Sequence, residues 1–186
     1  MTPRPAAPTR SQPAAARTGP GGRTPLALDE GEGEDGPGVA AWLPWASVVV
    51  SVAGVAVAAY LTVAHFTTTA LLACPESATV NCAKVTTSPE SVIVGIPVAV
   101  LGLAYFCAMV ALNLPAAWRA GGPAGAWLAR LRLAGVVVGI AFALYLVSAE
   151  LLVIGAICIY CSAAHLLAFA LFVLVAAGTA QRGLST

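Results

Sequence analysis

The stretch LAGVVVGIAFALYLVSAELLVIGAICIYCSAAHLLAFALFVLVAA, residues 133–177, decides the fold. It is predominantly apolar, holds one acidic residue, Glu150, and has no Lys or Arg. A helix needs about 20 apolar residues to cross the hydrocarbon core of a bilayer, so this stretch is long enough to cross it twice. We therefore predict two membrane spans, 133–154 and 157–177, which a tight turn near residue 156 joins into an antiparallel hairpin.

Two further stretches, 46–66 and 96–114, are also long and apolar enough to span a membrane. The chain is 59% hydrophobic and 9% charged, whereas soluble domains carry about 25% charged residues. A soluble protein must cover its outside with polar groups, so this composition excludes that class. The sequence predicts an all-α membrane protein, a four-transmembrane-helix bundle over residues 46–178.

The two ends of the chain differ from this domain. Residues 1–45 hold eight of the thirteen prolines and an acidic run over 29–35, which predicts a disordered tail. No short apolar segment with a small-residue cleavage site begins the chain, so a cleaved signal peptide is not expected. Residues 179–186 are predicted to form a short second tail.

The basic residues predict the orientation. Eight of the nine Lys and Arg residues lie on one side of the predicted spans, and Lys84 lies alone on the other. The excess of positive charge marks the cytoplasmic side, so both termini are predicted to be cytoplasmic. The loop 67–95 and the turn near residue 156 then face outward. They carry four of the five cysteines: Cys74, Cys82, Cys158 and Cys161.

The outer loop contains a helix-start pattern. Ser88 suits an N-cap position, and Pro89 suits the first helical position, where its missing N–H is harmless. Pro97 would interrupt a longer helix. We predict a short capping helix over about 89–95, lying along the membrane surface.

The cysteines indicate thiol–disulfide chemistry. Cys158 and Cys161 lie one helical turn apart at the start of the last span, where unpaired N–H groups and the helix dipole stabilise a thiolate. Cys74 and Cys82 are in the outer loop, where a soluble protein could reach them. This arrangement predicts a relay from the loop pair to the shielded pair, with loop motion bringing Cys82 to Cys158. His165 follows Cys161 on the same helix face and could hydrogen-bond a carbonyl there.

Other interpretations of the same residues stay open. The four cysteines could be inert staples of a non-enzymatic membrane scaffold, although a CxxC disulfide closes too short a loop to stabilise much. A Cys₄ zinc site is disfavoured on the oxidising side of a membrane. Cys107 is predicted to be a small buried apolar residue, and His65 to lie among lipid headgroups. Glu150 could transfer protons or form a polar contact.

Several short motifs resemble the bacterial vitamin K epoxide reductase family. They are NCAKV at 81–85, TSP at 87–89, GIP at 95–97, LG at 101–102 and CIYC at 158–161. In this chain the CxxC opens the fourth span. In the other bacterial quinone-linked disulfide generator, also a four-helix membrane protein, the CxxC lies in the first outer loop, so the order of the motifs argues against that family. The resemblance covers essentially everything but the tails.

The resemblance implies a four-helix bundle around a quinone of the menaquinone or ubiquinone type, capped by a short helix, and implies no metal. It further implies that Cys74 exchanges with a thioredoxin-fold partner, that Cys82 passes electrons to Cys158, and that Cys161 faces the quinone. Such proteins act in the bacterial cytoplasmic membrane and support disulfide formation in exported proteins. Since the chain ends at Thr186, without a fused thioredoxin-like domain, the partner is expected to be a separate protein.

Two binding residues also follow from the resemblance. Ser88 would hydrogen-bond one quinone carbonyl. His165 takes the place where animal members have a Tyr beside the quinone. Val98 stands near Pro97 where some members have an Asn, so one polar contact of those members is missing here.

Overall fold

The computed structural model describes residues 39–67, 72–75, 77 and 79–184. The predicted N-terminal tail therefore lies outside the described residues up to residue 38, and this includes its acidic run. Residues 185 and 186 of the predicted second tail also lie outside them.

Long apolar helices build the described part of the chain. Their bounds are α1 Trp42–Phe66, α3 Val98–Asn113, α5 Gly122–Ser148 and α6 Ile159–Leu184, and the short helices between them are α2 Cys82–Thr86 and α4 Pro115–Arg119. Three segments, α1, α5 with its continuation to Ile154, and α6, are long and apolar enough to cross a membrane, and α3 is shorter but apolar. The prediction of an all-α membrane bundle is confirmed. Helix α6 continues to Leu184, past the predicted end of the last span at residue 177.

Helix α1 packs against α3 and α6, and α5 packs against α6 and α3. Gly54 of α1 lies against Phe106 of α3, so a β-carbon at this position would overlap the Phe106 ring. Small residues at such positions let membrane helices come close enough for their backbones to pack. The buried cluster around Phe106 includes Met109 of α3, Val136 of α5 and Leu171 of α6. These contacts fix the four long helices around one apolar core.

A cation–aromatic cluster closes the end of the bundle where α5 begins and α6 ends. Arg132 is fully buried, its guanidinium lies 3.9 Å from the centre of the Trp118 ring, and its Nε and Nη2 donate to the Leu112 carbonyl at 3.0 and 2.9 Å. Arg182 donates to the Trp118 carbonyl at 2.6 Å. Hydrogen bonds and the aromatic face compensate the buried charge of Arg132.

The connection between α5 and α6 departs from a regular helix. Helix α5 continues as a π-helical segment, Ala149–Ile154, and ends at Gly155, which has φ 63°. Glycine adopts this left-handed conformation without the steric penalty that other residues pay, which explains its place at the turn. Single π-helical turns inside longer helices occur frequently at functional sites.

The short helix of the first outer loop lies at a different position from the predicted one. That helix is α2, Cys82–Thr86, whereas the predicted segment 89–95 forms only one 3₁₀ turn, Pro89–Ser91. The Ser88 hydroxyl donates to the Val85 carbonyl at 2.9 Å and does not cap the 3₁₀ turn. Without that cap, and with β-branched residues following, the segment does not continue as a helix.

A β-hairpin follows the 3₁₀ turn. Strand β1, Val92–Ile93, pairs antiparallel with β2, Ile96–Pro97. The chain reverses at Val94 and Gly95, both of which have positive φ. Helix α3 then begins at Val98, immediately after Pro97, and the hairpin connects it to the outer loop.

Candidate active site

The loop cysteines form a disulfide. Cys74 and Cys82 are bonded, with their Cα atoms 6.1 Å apart. Cys82 is fully buried and opens α2, where Asn81 caps the helix by accepting from the Lys84 N–H at 2.8 Å. Cys74 is half-buried. The sequence analysis treated the loop pair as exposed, but Cys82 is fully buried and only Cys74 is partly exposed.

The loop is docked on the start of α6. The Ile157 N–H donates to the Thr79 carbonyl at 2.8 Å, and the Asn81 N–H donates to the Ile157 carbonyl at 3.1 Å. These bonds form a parallel bridge between Val80 and Ile157. Cys82 lies two residues after Val80 and Cys158 lies directly after Ile157, so the bridge brings the two cysteines into the same region of the protein.

Packing reinforces this placement. Cys82 and Cys158 are both fully buried in one cluster with Leu61, Val85 and Ala156. The sequence analysis expected loop motion to bring Cys82 to Cys158. In the structure both cysteines already belong to one buried cluster, with the loop docked on the start of α6.

Tyr160, inside the CxxC, makes a second connection to the loop. Its hydroxyl donates to the Ala73 carbonyl at 3.1 Å, and its ring lies 5.0 Å from that of Tyr60. A neutral hydrogen bond contributes about 1 kcal/mol net, so this bond and the two bridge bonds hold the loop by roughly 3 kcal/mol. Three hydrogen bonds of this strength hold the loop against the start of α6 and still allow it to detach reversibly.

The CxxC cysteines are free thiols at the start of α6. Cys158 directly precedes the helix, and its Sγ accepts from the Cys161 N–H at 3.3 Å, as a capping side chain does. A sulfur that accepts an N–H at the positive end of a helix is stabilised as a thiolate. Cys158 is therefore well placed to react as a nucleophile or a leaving group.

An apolar cavity of about 330 Å³ lies between the long helices and the outer loop. Of the four cysteines discussed, all within the described part of the chain, Cys161 alone lines it. The predicted ligand residues Ser88 and His165 line the same cavity. The other polar or ionisable side chains in its wall are Thr86, Glu90, Ser91, Tyr105, Glu150 and His65. The sequence analysis placed His65 among headgroups, but it lines this cavity.

Two polar atoms in the cavity wall have no hydrogen-bond partner among the described residues. They are the Tyr105 hydroxyl and Nδ1 of His165, and both atoms are buried. Buried polar groups normally have partners, so these two atoms suit a ligand that carries oxygen acceptors. The Ser88 hydroxyl, in contrast, already donates to Val85, and it would have to turn to donate to a ligand.

The walls therefore fit a quinone. A largely apolar cavity with a few converging polar groups is typical of sites for small, mostly apolar molecules. The hydroxyl of Tyr105 and a protonated Nδ1 of His165 could donate to ring carbonyls, and Cys161 places a thiol in the same space. No signal in the sequence distinguished Tyr105 from tyrosines that only pack.

The remaining sequence candidates take no part in this site. Cys107 is exposed on the outside of α3, so the prediction that it is buried is wrong. Among the described residues, no group of three or more His, Cys, Asp or Glu side chains could hold a metal ion.

A comparison with protein-family models matches residues 45–176 to the Vitamin K epoxide reductase family. The match includes both cysteine pairs and the helices that line the cavity. A search of curated proteins found no match.

Proposed function

Because the chain belongs to the vitamin K epoxide reductase family, whose members are quinone-linked oxidoreductases, we propose that it transfers electrons from extracytoplasmic thiols to a membrane quinone. One observation carries the proposal: Cys82 and Cys158, one cysteine from each pair, lie in the same buried cluster, and Cys161 lines an apolar cavity. This arrangement gives the relay a direction. Electrons enter at Cys74 and leave from Cys161.

The first exchange occurs at the loop pair. A thiolate of a reduced partner attacks the half-buried Sγ of Cys74, and Cys82 leaves as a thiolate. A second partner thiol then breaks the mixed disulfide, which leaves Cys74 and Cys82 reduced and the partner oxidised. Attack at Cys82 is disfavoured because this sulfur is fully buried.

The second exchange occurs inside the protein. When Cys158 and Cys161 are disulfide-bonded, the Cys82 thiolate attacks Sγ of Cys158, and Cys161 leaves as a thiolate. Cys74 then displaces Cys158 from Cys82, which restores the Cys74–Cys82 disulfide and frees both CxxC thiols.

The cavity residues prepare the last step. A bound quinone accepts two electrons and two protons and becomes a quinol. His165, Tyr105 and Ser88 would hold its ring oxygens, and the apolar walls would exclude water. Cys161 would present its thiol to the ring, and Cys158 would close the disulfide as the electrons leave.

We propose a separate thioredoxin-fold protein as the thiol partner, in keeping with the half-buried Cys74 and the exposed residues Ala73, Pro75 and Ser77 around it. We also propose the bacterial cytoplasmic membrane as the location, with the cysteines outside. The cluster of Arg132 and Arg182 supports this orientation, because it lies at the bundle end where α6 finishes, away from the CxxC where α6 begins. Such an enzyme would support disulfide formation in exported proteins.

Quinone depletion tests this function. In membranes that contain no respiratory quinone, Cys158 and Cys161 should accumulate as thiols and react with an alkylating reagent, because their electrons have no acceptor. Restoring a quinone should return them to the disulfide. The measurement is mass spectrometry of the alkylated CxxC peptide. A pair that stays oxidised in both membranes would identify an inert staple and would contradict the proposal.

A further inference from the structure

The acidic residue at the end of α5 is not used by the relay described above. Glu150 is only 6% exposed and lies in the π-helical segment Ala149–Ile154, within a segment long and apolar enough to span the membrane. An ionisable residue in such a segment is costly and is by default a candidate for function.

The backbone carbonyl of Glu150 accepts from the Ala156 N–H at 3.2 Å, two residues before Cys158. The Glu150 carboxyl group lies within electrostatic reach of Cys158 and Cys161. It also lines the cavity together with Cys161 and His165. Glu150 therefore lies near the dithiol and in the wall of the same cavity.

The other ionisable side chains of the cavity are placed differently. They come from α1, the outer loop, α3 and α6, and they are His65, Glu90, Tyr105 and His165. Glu90, the other acidic residue in the wall, belongs to the 3₁₀ turn of the outer loop. Within the described part of the chain, Glu150 is the carboxyl group that interacts with both CxxC sulfurs.

We propose that Glu150 carries protons from the Cys158 and Cys161 thiols to a quinone in the cavity, an inference that rests on the proposed function. Oxidation of the two thiols to one disulfide releases two electrons and two protons, and reduction of a quinone to a quinol takes up the same number. The carboxylate takes the proton of Cys161 as its thiolate forms and delivers it to a ring oxygen. Again a carboxylate, it then carries the second proton, which comes from Cys158.

Glu150→Gln tests the inference in the full-length protein. Glutamine has nearly the same size as the protonated carboxyl group and is also polar, but it cannot carry a proton. With dithiothreitol as donor and a short-chain ubiquinone analogue as acceptor, kcat should fall about 100-fold or more, as is typical when an acid–base group is lost. KM for the quinone should stay within about threefold. Glu150→Asp should restore part of kcat, because it restores the carboxyl group.

A wild-type kcat in Glu150→Gln would overturn the inference. So would a loss of activity that appears in KM with kcat unchanged, since this pattern indicates a role in binding only. A Glu150→Asp variant as slow as Glu150→Gln would also contradict it.

A second readout uses protein freed of quinone. Infrared difference spectra between the dithiothreitol-reduced and the oxidised protein should contain a band of the Glu150 carboxyl group, because the neighbouring dithiol becomes a disulfide while Glu150 returns to the same protonation state. The band should be lost in Glu150→Gln, and its persistence there would overturn the inference. A wild-type protein that shows the band but reduces no quinone would refute the proposed function and leave the coupling of Glu150 to the dithiol intact.

Discussion

Replacing Cys161 by alanine is expected to reduce electron transfer from dithiothreitol to a quinone to the uncatalysed rate. Cys161 is the one cysteine of the two pairs, all of them described by the structure, that lines the cavity, so its loss separates the dithiol from the acceptor. Cys158 is fully buried and does not line the cavity. In the variant it also has no cysteine left with which to form the CxxC disulfide. The assay follows the absorbance of a short-chain quinone with purified protein.

Cys107→Ala is the matched control for this substitution. Cys107 also lies in an apolar helix, but it is exposed on α3 and is absent from the cavity wall. The control should keep the wild-type rate, because alanine removes only an outward-facing sulfur. Quinone reduction at the wild-type rate by Cys161→Ala would show that another group delivers the electrons.

Replacing Cys82 by alanine is expected to trap the thiol partner. Cys74 can then form a mixed disulfide with an incoming cysteine, but no Cys82 remains to re-form the loop disulfide and release it. The probe is a thioredoxin-fold protein with a single active-site cysteine, incubated with the variant under mild oxidation. A covalent adduct that dithiothreitol removes should appear on a non-reducing gel, and peptide mapping should locate it at Cys74.

Cys74→Ala provides the opposite case. It leaves Cys82, whose sulfur is fully buried in the cluster with Leu61 and Val85, so the same probe should give little or no adduct. Equal adduct formation by the two variants would show that both loop sulfurs are accessible. An adduct on Cys82 alone would reverse the proposed division of roles.

The membrane bundle could be predicted because hydrophobic length is a strong signal. The run 133–177 predicts two crossing helices, and the structure has long helices on both sides of a turn at Gly155. The irregular parts could not be predicted in the same way. Residues 149–154, which are apolar except for Glu150, suit an α-helix as well as a π-helix, so nothing in their pattern indicates the wider turn.

The outer loop shows how a local signal is overridden. Ser88 and Pro89 form a sound helix-start pattern, but the Ser88 hydroxyl is engaged by Val85 of the preceding turn. The following residues then pair as a hairpin. Whether a serine hydroxyl donates to a preceding carbonyl or accepts from an N–H of the following turn depends on the position of α2, which the helix-start pattern does not encode.

The sequence could predict some features of the candidate site and not others. Spacing and helix position are local, so the sequence could predict the CxxC at the start of the last helix and the alignment of His165 with Cys161. The bridge between Val80 and Ile157 joins segments that are far apart in the sequence, and no local pattern predicts it. Tyr105 likewise became a candidate only because its buried hydroxyl has no partner within the described residues.

The central claim is that electrons pass directly from Cys82 to Cys158, and a double variant tests it most directly. The double variant Cys74→Ala, Cys161→Ala removes the disulfide partners of Cys82 and Cys158. It leaves the sulfurs of Cys82 and Cys158 in their shared buried cluster. Mild oxidation should join them in an intramolecular disulfide that peptide mass spectrometry detects, while Cys82→Ala with Cys161→Ala should form no bond between Cys74 and Cys158. If Cys82 and Cys158 instead remain free thiols under conditions that oxidise both wild-type pairs, the proposed relay is contradicted.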